Sequence, residues 1–369
     1  MRGFWLLFLP AAAYQTLAIF SALRHVSKRG RPLARARGSA GVSVLKPVRG
    51  LDPNTYEAFV SQVQQDYPAF EVLFGVTDDS DPAVPEIRRL QAAFPGTAIR
   101  LIICPTATPN RKIGALIDLS REARYPIWIV NDSDIKVTRT YLEEVTAPLS
   151  DSSIGVVTCP YRAYAHSSAT GWEALGIATD FMPSTLVAQQ LGVRDFGLGS
   201  TLAFRAADLQ AVGGFAALGD YLADDYQLAK RISSLGKRSL LSTYTVETSL
   251  GEGTWTGVWN HQLRWARTIR VSKGGGYAGL PITHAGLWIL IAVLCGAWWL
   301  ALILVCLRIG SGLTTGWLVL RSPLAAGLVW LAPLWDLYAF AVWGTSYTGN
   351  EVRWRDKVFT VDGQGRIHD

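Results

Sequence analysis

The chain has 369 residues and a formal net charge of +6 at pH 7. Hydrophobic residues make up 49% of it and charged residues only 17%, and the mean hydropathy is +0.19. This composition is too apolar and too weakly charged for an ordinary soluble enzyme. We therefore predict that part of the chain lies in a lipid bilayer.

The first apolar run, Phe4 to Leu23, carries no charge over the roughly 20 residues that a membrane-crossing helix requires. A cleaved signal peptide is the alternative, but the run lacks a basic segment before it and a clear small-residue cleavage site after it. We predict a retained transmembrane anchor over residues 1–24.

A basic linker, residues 25–40, follows the anchor. The run of cations contains no acid and consists of Arg24, Lys28, Arg29, Arg31, Arg35 and Arg37. These six charges equal the net charge of the whole chain, so the basic character is local and does not indicate a nucleic-acid-binding surface. By the positive-inside rule the linker belongs in the cytoplasm, which places the amino terminus outside. A linker that is merely solvated is compatible with the same placement.

Two apolar segments near the other end predict transmembrane helices within residues 285–347. Ala285 to Leu307 is the stronger segment, whereas Leu324 to Tyr347 is interrupted by Pro333 and Asp336. Together with the anchor they predict a multi-pass integral membrane protein.

If both segments cross the bilayer, Arg308 to Ser322 forms an outside loop and residues 348–369 form a cytoplasmic tail. Basic residues of the tail agree with the positive-inside rule: Arg353, Arg355 and Lys357. The four cysteines show neither a CxxC pair nor the spacing of a metal cluster, which predicts reduced, buried and inert side chains: Cys104, Cys159, Cys295 and Cys306.

Between the membrane segments, residues 41–270 alternate short apolar runs with longer helical patterns. The predicted strands are Val42 to Leu45, Val72 to Val76, Ile99 to Cys104 and Ile127 to Val130. The predicted helices are Tyr56 to Gln64, Ala83 to Phe94, Lys112 to Arg121 and Tyr141 to Leu149. This alternation predicts an α/β domain with a largely parallel sheet covered on both faces. Ligands of such sheets bind beyond the carboxyl ends of the strands.

Acidic residues fall at two of those strand ends. Asp78 follows one strand, and Asp132 with Asp134 follows another in the stretch VNDSDIKV. Each could be a simple turn residue, but two sets in one predicted crevice favour a site. No GxGxxG or GxxxxGKS loop follows these strands, so a dinucleotide-binding domain and a P-loop hydrolase lose support. Two nearby carboxylates can instead hold a phosphate through Mg²⁺ or Mn²⁺.

Two later segments carry further candidate residues. Asp224 and Asp225 begin a predicted helix, where acids stabilise the helix terminus and where one of them could also be a general base. The segment WTGVWNHQLRWARTIR places Trp255, Trp259 and Leu263 at helical spacing. Such a helix either packs on the domain or lies in the membrane interface, and its position before a predicted span favours the interface.

The order of several motifs resembles that of ceramide glucosyltransferases and their bacterial relatives, including hopanoid-associated glycosyltransferases. The resemblance covers about Val42 to Arg270. It rests on LKPVRGLDP, QDYPAFEVLFGVTDDSDPA, NRKIGAL, NDSDIKV, GGFAALGDYLADDYQLAK and HQLRWARTIR.

The resemblance implies a GT-A fold and an inverting transfer of a hexose from a UDP-sugar, usually UDP-glucose, to a lipid hydroxyl. Ceramide is the implied acceptor, and the product is then a glycosphingolipid. The implied partners are the donor, the acceptor lipid and the bilayer, with the catalytic domain in the cytoplasm at a bacterial inner membrane.

Site roles follow from the same resemblance. Asp225 matches the catalytic base, and Asp132 with Asp134 matches the motif that holds the diphosphate through Mg²⁺ or Mn²⁺. The other donor-binding residues that the resemblance implies are Asp78, near the uridine, with Arg264 and Trp265. Lys112 is a further donor-binding candidate because of its charge, and a solvated lysine at a helix start is the alternative. The residues assigned to the acceptor or the membrane interface are Asp224, His261, Trp255 and Trp259.

One position departs from the family pattern, since His261 stands where Gln or Arg is usual. At this position the sequence resembles the hopanoid-associated branch more than the animal one, so a hopanoid polyol or diacylglycerol stays an alternative acceptor. Two other readings are a processive polysaccharide synthase, which ordinarily needs more than about three crossings, and a catalytically inactive lipid or sugar-nucleotide receptor. The intact acidic motifs argue against the receptor.

Overall fold

The computed structural model describes residues 4–30, 40–251, 253–354 and 357–368. Part of the predicted basic linker, with Arg31, Arg35 and Arg37, lies outside the described residues, as does Arg355 of the tail.

The strands that the structure describes are β1 (Val42–Pro47), β2 (Phe70–Val76), β3 (Ala98–Ile103), β4 (Ile127–Val130), β5 (Ile154–Thr158), β6 (Tyr161–Tyr164), β7 (Leu202–Arg205), β8 (Arg238–Leu241), β9 (Val246–Ser249), β10 (Glu351–Trp354), β11 (Lys357–Val361) and β12 (Ile367–His368). The α-helices are α1 (Leu9–Val26), α2 (Thr55–Val63), α3 (Ala83–Ala93), α4 (Arg111–Glu122), α5 (Tyr141–Thr146), α6 (Ser168–Gly176), α7 (Met182–Gln190), α8 (Ala206–Gln210), α9 (Asp224–Ser233), α10 (Trp255–Ser272), α11 (Gly274–Ala278), α12 (Ala285–Leu294), α13 (Trp298–Leu313), α14 (Pro323–Leu328) and α15 (Ala332–Ser346). Two π-helical segments, Ile177–Phe181 and Thr314–Val319, continue α6 and α13.

The chain divides into two compact units. The sheet unit comprises Gly30–Tyr161 and Arg194–Ser249, and the helical unit comprises Met1–Arg29, Arg162–Val193 and Leu250–Asp369. Residues 162–193 thus group with the apolar helices, although they lie within the predicted catalytic range of 41–270. The domain boundaries drawn from sequence stay a prediction.

The sheet unit is built on a seven-stranded sheet with the order β3-β2-β1-β4-β7-β5-β8. Strands β1 to β4 are mutually parallel, and β7 runs antiparallel to both β4 and β5. The prediction of a largely parallel sheet is confirmed, and the bounds of the four predicted strands and four predicted helices lie within three residues of those observed. Helix α4 packs its Ile113, Leu116 and Leu119 into the core beside Leu73 and Trp128.

Three helices of the helical unit are long and apolar enough to cross a membrane. Among the described residues these are Trp5–Val26, Trp298–Val319 and Pro323–Ser346. A pair bent by 44°, Gly275–Ile282 with Ala285–Leu294, makes a fourth crossing if it is one span.

The predicted single span from Ala285 to Leu307 is wrong. Helix α12 ends at Leu294 and α13 begins at Trp298, because Gly296 adopts φ +72°, a conformation that stops a right-handed helix. The predicted outside loop from Arg308 to Ser322 is wrong as well, since helical structure continues to Val319. Cys295 and Cys306 are exposed rather than buried, whereas the other two cysteines are buried as predicted.

The weaker predicted span forms a helical run despite its two interrupting residues. Pro333 lies in the first turn of α15, where a missing backbone N–H costs little. Asp336 is 1% exposed and accepts two bonds from Arg308, at 2.8 Å from Nε and 2.6 Å from Nη2. Arg308 also donates to the Thr179 carbonyl at 2.7 Å, and Gly286 N donates to Asp336 at 2.8 Å. The charge is therefore satisfied inside the helix bundle.

Candidate active site

The predicted site lies at the carboxyl ends of β1, β2 and β4, because these neighbouring strands are parallel and end at the same level. The register pairs Leu45 with Val130, so the next residues along the two strands, Lys46 and Asn131, lie side by side. Asp132 and Asp134 then follow in the turn beyond β4, as predicted.

Lys112 joins this turn to the start of α9. Its Nζ lies 2.8 Å from Asp132 Oδ1 and 3.2 Å from Asp224 Oδ2. Asn110 caps α4 by accepting from Lys112 N at 3.1 Å, and its amide donates to the Tyr221 carbonyl at 2.8 Å and to Asp224 at 3.3 Å. Residues far apart in sequence are thus held in one cluster of charges.

Asp225, the predicted base, is fixed by backbone donors. Its Oδ2 accepts from Gly199 N at 3.0 Å and its Oδ1 from Tyr226 N at 2.7 Å. A Cβ atom added to Gly199 would lie 3.0 Å from Asp132 Oδ2 and 3.7 Å from Asp225 Oδ2. The carboxylates of the predicted metal motif and of the predicted base therefore approach the same point, and the absence of a side chain at Gly199 leaves it open.

Burial makes two carboxylates of this cluster, Asp225 and Asp134, harder to ionise. Burial raises the pKa of Asp225 to about 6, and the neighbouring Asp224 adds to the rise. Burial also raises the pKa of Asp134 to about 6, with Asp132 adding to it. Asp134 is held by Ser249 N at 3.0 Å and by the Thr248 hydroxyl.

The two lysines of the cluster differ in setting. Burial lowers the pKa of Lys46 to about 7, against the opposing effect of Asp134 and Asp132. Burial acts in the same direction on Lys112, but Asp132 and Asp224 outweigh it and raise the pKa of that lysine above its ordinary value. Lys112 is thus a stable cation between carboxylates.

Two of these carboxylates fit a divalent cation. Among the described residues, no three His, Cys, Asp or Glu side chains come together as a complete metal site. A Mg²⁺ ion that also binds substrate phosphates needs only one or two carboxylates, since phosphate and water oxygens complete its shell. Asp132 is 46% exposed and Asp134 follows two residues later in the same turn, so this pair meets that need.

Asp78 lies at the same carboxyl end of the sheet, but outside the cluster of ion pairs. It follows β2, is exposed, and accepts from Ser80 N at 2.8 Å and from the Ser80 hydroxyl, which lowers its pKa. Its predicted role near the uridine stays a prediction.

The last motif belongs to helix α10 of the helical unit. His261 Nδ1 lies 2.6 Å from Glu173 Oε1, and Gln262 Nε2 donates to the same oxygen at 2.8 Å. Glu173 is 3% exposed. The His261 ring packs edge-on to Trp265 at 4.6 Å, and Trp265 also contacts Phe181 at 5.4 Å. The roles implied for half-buried Arg264 and for Trp265 at the donor stay predictions.

Other residues of α10 hold the helical unit together. Trp259 packs against Tyr338 at 5.6 Å, whereas Trp255 is 57% exposed. Arg267 donates to the Glu351 carbonyl, and Arg270 donates to the Gly349 carbonyl at 3.1 Å. The packing alternative that the sequence left open thus applies to much of this helix, whereas the Trp255 ring is exposed.

Several residues of the charged cluster, and Glu173 beside His261, were not singled out from sequence. Lys46 ends the first strand within the motif LKPVRGLDP, and Gly199 stands in GLGS, a glycine pair before β7. Those local patterns are the available signals. Thr248 and Glu173 carry none, because their partners lie 114 and 88 residues away.

The fold and the clustered carboxylates define a glycosyltransferase of the GT-A-like class. The structure aligns with that of the mannosyltransferase PcManGT from Pyrobaculum calidifontis in complex with GDP-Man and Mn²⁺. The TM-score is 0.55, over 92% of this chain and 97% of that one, at 19% sequence identity. The chain belongs to glycosyl transferase family 21, whose family model matches residues 3–367.

Curated relatives agree with the family. The chain is 29% identical to Ceramide glucosyltransferase 1 of Caenorhabditis elegans over 231 residues, 62% of this chain and 49% of the relative. It is 25% identical to Ceramide glucosyltransferase 3 of the same organism over 348 residues, 89% of this chain and 74% of the relative. The chain thus spans about half of the first relative's length. The predicted resemblance to ceramide glucosyltransferases is confirmed at the level of the family.

Proposed function

We propose that this protein is a membrane-bound inverting glycosyltransferase that moves glucose from UDP-glucose to the hydroxyl of ceramide. The observation that carries the proposal is the pair of carboxylates beside Gly199, since Asp132 and Asp225 both approach the position that a Cβ atom of that residue would take. One can hold the donor through a cation while the other accepts a proton close by.

Asp225 is the catalytic base of this proposal. Inverting transfer needs a group that takes the proton from the attacking hydroxyl, and a carboxylate within hydrogen-bond reach does so. The bonds from Gly199 N and Tyr226 N fix its orientation. A pKa of about 6 suits the role, because the group is ionised at neutral pH and is a stronger base than an ordinary aspartate.

The donor diphosphate lies against Asp132 and Asp134 in this proposal. A Mg²⁺ or Mn²⁺ ion held by these two residues would neutralise the charge that develops on the departing UDP. Lys112 contributes a positive charge 2.8 Å from Asp132. Asp78 contacts the uridine part, and Arg264 with Trp265 supports donor binding.

Ceramide is proposed as the acceptor because of the named relatives, and His261 keeps a hopanoid polyol as the second candidate. Asp224, Trp255 and Trp259 are assigned with His261 to the acceptor or interface side. The catalytic part is proposed to face the cytoplasm of a bacterial cell, on the membrane that the apolar helices cross.

A panel of radiolabelled UDP-sugars tests the proposal. The purified protein in lipid receives UDP-glucose, UDP-N-acetylglucosamine, UDP-galactose or UDP-glucuronate, each with ceramide, a hopanoid polyol or diacylglycerol, with and without EDTA. Label in ceramide from UDP-glucose, lost with EDTA, is expected. Label in a hopanoid or diacylglycerol corrects the acceptor, a polymer points to a synthase, and binding of donor without transfer points to a receptor.

A further inference from the structure

We propose that Lys46 is a positioning residue that holds the turn carrying Asp132 and Asp134 in the geometry required for binding a metal-diphosphate group. This inference rests on the proposed function, since it concerns the same donor site. Lys46 is buried, and it is not among the residues proposed as the base, as the metal ligands or as contacts of the donor.

The Lys46 ammonium is fully buried and bonds to the turn, not to its carboxylates. It donates to Asn131 Oδ1 at 2.9 Å and to the Asp132 backbone carbonyl at 2.8 Å. The carboxylate of Asp132 instead pairs with Lys112, whose side chain is 14% exposed. Lys46 therefore bonds to the backbone of the turn, whereas Lys112 bonds to a carboxylate that the turn presents.

A buried polar network extends this support to both ends of the turn. Asn131 Nδ2 donates to Gln62 Oε1 at 3.3 Å and to the Tyr141 hydroxyl at 3.4 Å. Gln62 Nε2 donates to the Ile135 carbonyl at 3.0 Å. All of the side chains that make these bonds are fully buried. Asn131 is thus anchored to both Lys46 and Gln62, and the backbone of Ile135 is anchored to Gln62.

Burial also excludes direct contact between Lys46 and a donor phosphate, because its side chain has no exposed surface. Loss of the ammonium would leave the Asn131 and Asp132 oxygens without this donor in the interior. Such a loss is costly for buried acceptors, and the turn relieves it by moving. The movement displaces the two carboxylates, and outer partners of metal ligands affect metal affinity by roughly 10–100-fold.

A matched control lies on the same strand. Ser43 is also fully buried, donates to Glu71 Oε1 at 2.7 Å, and accepts from Tyr125 N at 3.1 Å. It stands near the opposite end of β1, away from the turn. Ser43→Ala therefore removes buried hydrogen bonds from the same strand without touching the proposed site.

The experiment compares wild type, Lys46→Met and Ser43→Ala as full-length protein in lipid. Affinity for Mn²⁺ in the presence of UDP is measured by electron paramagnetic resonance, UDP binding by calorimetry, and folding by thermal unfolding. Lys46→Met is expected to weaken Mn²⁺·UDP binding by roughly 10–100-fold and to raise KM for the UDP-sugar. Ser43→Ala is expected to stay within about twofold of wild type in both, although it also lowers the unfolding midpoint.

Equal affinities in the two variants, or tighter Mn²⁺ binding in Lys46→Met, would overturn the inference, the latter by making Lys46 a competing cation. If Lys46→Met does not fold, Gln62→Met replaces it, with the same direction expected and unchanged affinity counting against the inference. Failure of wild type to bind UDP with any metal would instead overturn the proposed function, and this inference with it.

Discussion

The charged cluster of the sheet unit holds more carboxylates than ammonium groups. The carboxylates belong to Asp132, Asp134, Asp224 and Asp225, and the ammonium groups to Lys46 and Lys112. Burial raises the pKa of Asp134 and Asp225, and the neighbouring carboxylates Asp132 and Asp224 add to the rise. A divalent cation close to these carboxylates would favour their ionised forms. The proposed function assigns different roles to these carboxylates, cation binding to Asp132 with Asp134 and proton transfer to Asp225.

Asp225→Asn separates these roles. The amide keeps the size of the side chain but cannot take a proton, so kcat is expected to fall by about 10²–10⁴-fold while UDP-sugar affinity stays within a few fold. Single-turnover kinetics and calorimetry measure the two quantities. The exposed Asp220 provides the control variant Asp220→Asn, which should behave as wild type. Normal turnover in Asp225→Asn would remove this residue from the role of base.

The pH dependence of turnover follows from the same residue. A base acts in its ionised form, and the pKa of Asp225 is raised to about 6. At saturating donor and metal, kcat is therefore expected to be constant above that pH and to fall about tenfold per unit below it. Initial rates from about pH 5 to 8 give the profile. A profile that stays flat down to about pH 5 would contradict the assignment.

Gly199→Ala tests whether the open point between the carboxylates matters. The new Cβ would lie 3.0 Å from Asp132 Oδ2, so that carboxylate has to move and turnover is expected to fall at least tenfold. Gly96→Ala is the control, because nothing lies within 4 Å of the corresponding Cβ position. Steady-state rates of both variants give the answer, and equal rates would mean that Gly199 is replaceable.

Helix packing in the helical unit depends on a few polar contacts inside apolar surroundings. Arg308 on α13 is 2% exposed and ties α15, through Asp336, to the π-helical segment that holds Thr179. Small residues let these elements approach closely: a Cβ on Gly176 would overlap Trp335, and one on Gly286 would overlap the Pro333 carbonyl. Both the Arg308–Asp336 charge pair and the close contacts at these glycines therefore hold the helices together.

Breaking the Arg308–Asp336 pair from one side leaves a buried charge. Asp336→Leu is expected to cost about 3–5 kcal/mol of stability, and Arg308→Met combined with Asp336→Leu to recover much of that loss. Denaturation of the protein in detergent measures both. The exposed pair Arg88–Asp79 is the control, since Arg88→Met should cost less than about 1 kcal/mol. A double variant no more stable than the single one would show that the pair contributes beyond mutual neutralisation.

At the scale of the whole molecule, the number of crossings decides on which side the tail lies. Three spans with the amino terminus outside place the tail in the cytoplasm, whereas a fourth span at the bent pair α11–α12 would place it outside. The bend of 44° and the short length of α12 favour three.

A fluorescent reporter fused after Asp369 tests the count. It is expected to fluoresce in cells, because such reporters fold in the cytoplasm, and a fusion with one added synthetic span is the control that should stay dark. Fluorescence of the control but not of the direct fusion would show an even number of crossings.

Local residue patterns were enough for much of this protein. Four strands and four helices could be predicted because each rests on a continuous apolar run or a helical periodicity. Asp132, Asp134 and Asp225 could be singled out because they directly follow or begin such elements. The membrane class followed from composition, since apolar stretches of about 20 residues without charge have few other uses.

Contacts between distant residues decided the rest. The fully buried Lys46 meets Asn131 through strand register, Gly199 meets Asp225 through the insertion of β7, and Glu173 meets His261 through helix packing. The burial of Arg308 likewise depends on neighbouring helical segments, which supply Asp336 and Thr179. Such pairings arise only when the chain packs, because a buried polar group is stable where a distant partner supplies its hydrogen bonds, and a one-dimensional pattern does not record that partner.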